Sequence, residues 1–249
     1  MDQIIGSLIV RLDAVDSTNN YANGMTSRGG VKEGTVFLAY EQTGGRGQRT
    51  NKWESLAGEN LTFSIVLEPF FLPVVDQFML SKVVTLGIYS AVKKHVVDLK
   101  VKWPNDIYVG RKKLAGILIE NSIMNGLLKY SVVGIGLNVN QIEFLSDAPN
   151  PVSLKMLTKN HFDCDIVLEN ILKGIDSYYK LLKSSYFDLI NKEFESVLFQ
   201  RNELCKYKSG DEVFDGTIRG VNQIGQLLIE KANGQLLSFH FKEVEFILD

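Results

Sequence analysis

KWPNDIYVGRKKLAGILIE, residues 102–120, sets two short apolar runs on either side of a Gly110-Arg111-Lys112 turn. Runs of that length, bounded by turn residues, predict two adjacent strands, DIYVG over 106–110 and KLAGILIEN over 113–121. Pro104 disfavours a helical conformation for Trp103 and holds it extended. Asn105 and Asp106 then open the first strand with side chains on opposite faces. The hairpin brings Lys113 back alongside. Lys113 begins a run that reads as buried, so it pairs with something or meets a ligand's negative charge. An exposed turn tip is the alternative for the Lys112-Lys113 pair.

Working outward, SLIVRLDAV (7–15), TVFLAY (35–40), LTFSIVL (61–67), LKVKW (99–103) and LKYSVVGIGLNVN (128–140) read as further strands. Apolar residues at helical spacing from Asp76 to Val97 predict a long packed helix, and 166–183 and 186–199 read as two more. NYANGMTSR after Asp16-Ser17-Thr18-Asn19 reads as a short helix with a polar N-terminus. Several strands follow one another directly. That predicts an α+β chain with a mixed or antiparallel sheet and helices on one side, and argues against a doubly wound parallel sheet. From about Asn202, short β-type segments alternate with Gly and Asn turns, which predicts a small barrel. The expected division is therefore 1–201 and 202–249.

Composition narrows the function. The 249 residues carry 27 basic and 29 acidic side chains, a net charge of −2. A chain built to grip DNA is usually basic, so no DNA partner is expected. No apolar run reaches the ~18–20 residues of a membrane span, so no membrane partner is expected either. Two isolated cysteines, Cys164 and Cys205, and three scattered histidines offer no zinc or thiol-catalysis pattern, and lone thiols fit a reducing cytoplasm. GxGxxG and P-loop patterns are missing.

Four segments can carry chemistry. TGGRGQRTNK (43–52) has three glycines, three basic residues and nothing apolar to pack, so it reads as a loop that is mobile in the free protein. Gly44, Gly45 and Gly47 permit close ligand approach and positive φ. Arg46 and Arg49 offer forks for phosphate or carboxylate, and Trp53 can cover a flat ring. An ordinary solvated loop is the alternative. The second segment is the Lys102–Lys113 hairpin. The third, Gly134-Ile135-Gly136-Leu137-Asn138, suggests a backbone surface against a flat ligand with an amide to read a base edge, or simply a twisted core strand. The fourth, Asp16-Ser17-Thr18-Asn19, reads as a helix N-cap whose terminus can also hold a polar ligand group.

Taken in order, these segments resemble the signature series of the biotin protein ligases, from about residue 10 to the C-terminus. The resemblance implies a class II synthetase-like catalytic domain, a mixed sheet flanked by helices, and an SH3-like C-terminal barrel. Relatives that repress transcription carry an N-terminal winged helix, which is not expected here. The implied reaction uses ATP and Mg²⁺ to convert biotin to biotinyl-5′-AMP, then transfers biotin to a lysine of a biotin carboxyl carrier domain. The carrier is expected to dock at an exposed strand edge, and the enzyme to be a monomer or weak homodimer.

By similarity, Lys113 contacts the biotin carboxylate and the α-phosphate, and Arg46 closes over the intermediate. Ser17, Thr18 and Gln42 hydrogen-bond biotin, while Gly45, Gly116 and Gly134 let the backbone come close. Arg49, Trp53, Asn105 and Asn138 serve the nucleotide, and Asp106 is the candidate near the metal. Arg46, Arg49, Lys113 and Lys102 are expected to form one cationic cluster around the reactive phosphate. Gln48, Thr50 and Asn51 depart from the family's commonest loop pattern and leave it with fewer charges. A lipoate–protein ligase is the nearest alternative, but its Arg-Arg-x-Ser-Gly-Gly-Gly stretch is missing. A non-catalytic biotin or adenylate sensor is the other, and it would not need Lys113.

Overall fold

The computed structural model describes residues 3–48, 51–145 and 150–248. Seven strands form the larger sheet: β1 (Leu8–Val15), β2 (Thr35–Gln42), β3 (Leu61–Leu67), β4 (Leu99–Lys102), β5 (Asp106–Val109), β6 (Lys112–Met124) and β7 (Leu127–Leu137). Their order is β1-β2-β3-β7-β6-β5-β4, with β1 and β2 parallel and the other neighbours antiparallel. The mixed sheet expected from consecutive strands is what forms.

All of β3 is buried, which requires cover on both faces. Leu61, Phe63, Ile65 and Leu67 enter the main core with two helices, α2 (Phe78–Val92) and α4 (Cys164–Lys183). Val66 instead joins Phe37, Val132 and Ala22 of α1 (Thr18–Arg28). Helices therefore lie on both sides of the sheet, not on one. Thr62 and Ser64 share the α1 face with Val66, so α1's apolar cover ends where polar residues begin.

Two helices stop earlier than their apolar patterns suggest. A single 3-10 turn, Val74–Asp76, precedes α2, which ends at Val92. Lys93, Lys94 and His95 then turn toward Asp98, whose φ of 56° redirects the chain into β4. The segment after β7 contains a short helix α3 (Leu154–Thr158), and Asp163 caps α4 by accepting from the Asp165 and Ile166 N–H groups. Helix α5 (Phe187–Ser196) leads to Val197, Leu198 and Phe199, which are buried beyond its end.

The C-terminal segments β8 (Leu204–Ser209), β9 (Glu212–Val221), β10 (Leu227–Lys231), β11 (Leu236–Phe239) and β12 (Glu245–Phe246) form an antiparallel sheet in the order β11-β10-β9-β8-β12. It shares a continuous core with the larger sheet. The Trp103 indole N–H donates to Gly225 O at 2.9 Å, which fastens the start of the β5–β6 hairpin to this second sheet.

Helix α2 buries Lys82 against the Phe78 and Phe194 rings, with its ammonium on Asn191 Oδ1 at 2.7 Å. Burial pulls it down to about 8, against which Glu195 acts weakly. The folded value lies below the unfolded one of about 10.4, so the unfolded chain holds more protons between them and stability rises with pH across that window. Between pH 7.5 and 9.5, unfolding by urea gives wild type about 1–2 kcal/mol more gain than Lys82→Met. Equal gains would refute the burial of a charged Lys82.

Candidate active site

Register aligns the glycines into a trough. Asp106 pairs with Gly116, Gly116 with Gly136, and Gly136 with Thr62, so these four stand in one row across the sheet. The next row holds Leu118, Gly134 and Ser64. Paired residues in antiparallel strands share a face, and three glycines leave that face hollow. Trp53 lies in the hollow: a Cβ on Gly136 would stand 2.2 Å from its Cε2, and one on Gly116 3.0 Å from its Cζ3. The Trp53 indole N–H is buried with no hydrogen-bond partner. Asn19 stands over Gly134, where a Cβ would meet its Oδ1 at 2.3 Å.

One end of the trough is positive. Lys113 Nζ lies 2.8 Å from Asp106 Oδ1 and 5.7 Å from the centre of the Trp53 ring. Asn150 O accepts from the Lys113 N–H at 2.8 Å and Lys113 O accepts from the Val152 N–H at 2.9 Å, which fixes the lysine's backbone. Lys102 packs on Phe246 and Tyr108, 4.5 and 5.1 Å from their centroids. Burial, aided by Lys113 and opposed by Asp106, lowers its pKa. Two ammonium groups thus share one carboxylate. Asn105 donates from its amide to Ile117 O, so it fastens the hairpin. Asn138 is buried, donates to Val152 O at 3.1 Å, and keeps its Oδ1 unpartnered.

The other end is the first turn of α1. Ser17 is the N-cap residue, but its side chain makes no cap hydrogen bond. Gln42 Oε1 does this from β2, accepting from the Thr18 N–H at 2.8 Å. Thr18 Oγ1 lies 2.8 Å from Ser64 Oγ, which is 2.7 Å from Asn19 Oδ1. One hydroxyl chain therefore runs Thr18 to Ser64 to Asn19.

The described part of the glycine loop is a small hairpin. Gly44 N–H donates to Asp16 O, Gly47 N–H to Asn51 O, and Trp53 N–H to Gly45 O, at 2.8, 2.8 and 2.9 Å. None of Gly44, Gly45 and Gly47 has the positive φ expected of them. Close approach is what requires glycine at position 45, where a Cβ would stand 2.3 Å from Trp53 O. Arg46 pairs with Glu120 at 2.9 Å. Glu120 lies four residues along β6 from Gly116, about 13 Å. Arg46 and Lys113 therefore do not form one cationic cluster; each has its own carboxylate, at opposite ends of the trough. Arg49 and Thr50 lie outside the described residues.

The sequence reading did not single out Ser64 or Glu120, which hold Asn19 and Arg46 in place, and it took Asn19 only as part of the helix-cap segment. A signal for Glu120 existed, because period-two alternation from Gly116 puts 118 and 120 on the same face. Among the described residues, no group of three or more His, Cys, Asp or Glu is placed to hold a metal ion, and no helix is long and apolar enough to cross a membrane.

The model of the biotin/lipoate A/B protein ligase family matches residues 12–138, just over half of the chain. The chain belongs to this family. The chain is similar to the bifunctional ligase/repressor BirA of Bacillus spizizenii, 26% identical over 238 residues, covering 93% of this chain and 72% of that one. The biotin–[acetyl-CoA-carboxylase] ligase of Paracoccus denitrificans is 27% identical over 237 residues, covering 90% and 95%. Among solved structures, the biotin protein ligase from Aquifex aeolicus in complex with biotin and ATP superposes with a TM-score of 0.81 at 28% identity, covering 98% of this chain and 100% of that one. The match of the biotin/lipoate ligase family thus spans the trough from the start of α1 to Asn138.

Proposed function

We propose that this chain is an ATP-dependent biotin protein ligase acting on a biotin carboxyl carrier domain. The observation that carries the reading is the trough, with a glycine floor, a hydroxyl and amide end at α1, and a lysine end at Lys113. Family membership and the similar Aquifex protein, solved with biotin and ATP, support it.

The chemistry must join two anions. A biotin carboxylate oxygen attacks the α-phosphorus, the α–β phosphoanhydride bond breaks, and pyrophosphate leaves. The carrier lysine's amine then attacks the acyl carbon, losing a proton, and AMP departs. Both steps build negative charge at one junction, which a fixed cation stabilises best where water is excluded. Lys113 is that cation, held by Asp106 and covered by Trp53. Ser17, Thr18 and Gln42 bind the polar ring end of biotin, and Gly45, Gly116 and Gly134 allow the close approach. Trp53 covers the ligand after leaving the floor, and the unpartnered Asn138 Oδ1 serves the nucleotide. Magnesium belongs to the Mg-ATP substrate, since a single ion-paired Asp106 offers no cage of its own.

Residues 1–201 carry the reaction in this reading, and 202–249, an SH3-like barrel, support the hairpin through Trp103. Beyond Ile117, whose backbone Asn105 still engages, β6 has no strand partner on its β5 side among the described residues, and this open edge beside the trough suits carrier docking.

The test is to incubate the chain with Mg-ATP and either biotin or lipoate, with and without a carrier domain, and follow products by mass. The expected result is biotinyl-AMP without carrier and one added biotin per carrier with it. Lipoyl transfer alone points to the lipoate reading, and binding without adenylate to a sensor.

A further inference from the structure

Arg46 leaves the glycine loop toward α1, away from Lys113. Its Nη2 donates to Glu120 Oε1 at 2.9 Å and its Nη1 to Asn20 Oδ1 at 2.6 Å. The second oxygen of Glu120 accepts from Asn19 Nδ2 at 2.9 Å and from Asn23 Nδ2 at 3.0 Å. One carboxylate thereby ties together the loop, the first two turns of α1, and β6. Asp16 stands beside this network. The amide of Asn20, the Ser17 N–H and, more weakly, the charge of Arg46 hold its carboxyl below the usual range.

Charge separates the two ends of the trough. Arg46 faces two carboxylates, Glu120 and Asp16, so its surroundings sum to a negative charge and repel phosphate. Lys102 and Lys113 share Asp106, so that end sums to a positive charge. The anionic junction belongs with the lysines, and the guanidinium is already committed elsewhere.

We propose that Glu120 is a positioning residue acting through Arg46, and that their ion pair is a clasp holding residues 43–48 against the first turn of α1 to retain biotinyl-AMP. Arg46 works through this clasp and does not contact the phosphate. The inference rests on the biotin ligase reading and deepens it.

The experiment compares wild type with Glu120→Gln, Arg46→Glu and the charge-swapped double variant Arg46→Glu/Glu120→Arg, all as the full chain. Glu120→Gln keeps the shape but removes the charge and turns one acceptor oxygen into an amide donor, so either Arg46 or the amides of Asn19 and Asn23 lose their acceptor. It should release preformed biotinyl-AMP about tenfold faster, a loss typical of a charged, partly buried contact, while pyrophosphate exchange at saturating biotin stays within about twofold. The swap should restore slow release, because the pair's order is immaterial to a clasp. Wild-type release from Glu120→Gln, or a swap no better than Arg46→Glu alone, overturns the proposal.

Amide exchange at Gly44, Gly47 and Trp53 reads the clasp without substrate. It should quicken in Glu120→Gln and recover in the swap, and unchanged exchange in Glu120→Gln also overturns the proposal. A wild-type chain that makes no biotinyl-AMP defeats the functional reading instead, and the exchange comparison still decides the clasp.

Discussion

Lys113→Ala lowers biotinyl-AMP formation by about 10³-fold, while the melting temperature moves by only about 2–4 °C. The loss is that expected when a preorganised charge is removed from a developing anion. Lys102 does not replace it, because its ammonium lies against the Phe246 and Tyr108 rings. The small thermal change follows from the pair's position. Asp106 keeps 19% side-chain exposure and has Lys102 nearby, so its stranded carboxylate costs about 1 kcal/mol, or roughly 2–4 °C in a chain of this size. Biotin-dependent pyrophosphate exchange, with a thermal melt on the same sample, gives both numbers. Normal exchange by a folded Lys113→Ala variant would remove the lysine from the mechanism.

Gly134→Ala and Gly136→Ala separate sharply, although both glycines lie on the same face of β7. An alanine Cβ at position 134 falls 2.3 Å from Asn19 Oδ1. Asn19 is buried, accepts from Ser64 Oγ, and donates to Glu120 and to Leu118 O, so it has nowhere to move. Overpacking there costs about 1–3 kcal/mol, roughly 2–12 °C in melting temperature, and biotin affinity falls at least about tenfold as α1's first turn is displaced. At position 136 the Cβ meets Trp53 instead, 2.2 Å from Cε2. That indole comes from a loop and makes no hydrogen bond, so it swings aside. The melting temperature of Gly136→Ala stays within about 2 °C of wild type, yet adenylate formation falls about tenfold because the floor is raised. Equal melting temperatures for the two variants would show that Asn19 is not fixed.

Much of this was legible in local sequence. The Gly110-Arg111 turn and the apolar runs around it predicted the hairpin that brings Lys113 back alongside, but that Asp106 is its partner is visible only in the structure. Consecutive strands predicted the mixed sheet. Helix ends were less legible, because the apolar pattern of α2 runs on to Val97, yet the helix ends at Val92 and Val97 stands 87% exposed just before the left-handed Asp98. The segment Asp16-Ser17-Thr18-Asn19 reads as the cap of α1, and Ser17 does stand at the N-cap position, but Gln42 supplies the acceptor from 24 residues away.

The sequence by itself determined which residue types were available: glycines at 116, 134 and 136, a lysine opening an apolar strand, and a charged loop ending in Trp53. Each follows from propensity and periodicity over a few residues, the range at which a chain's preferences are local. Only the tertiary structure decided their meeting. Strand register, shifted by the irregularity between Ile107 and Tyr108, set Asp106, Gly116 and Gly136 in one row. Arg46 found Glu120 across 74 residues and left Lys113 to Asp106. A charge pairs with whichever opposite charge folding brings within a few ångströms, and that neighbour is set by packing of the whole sheet, which no motif spells out.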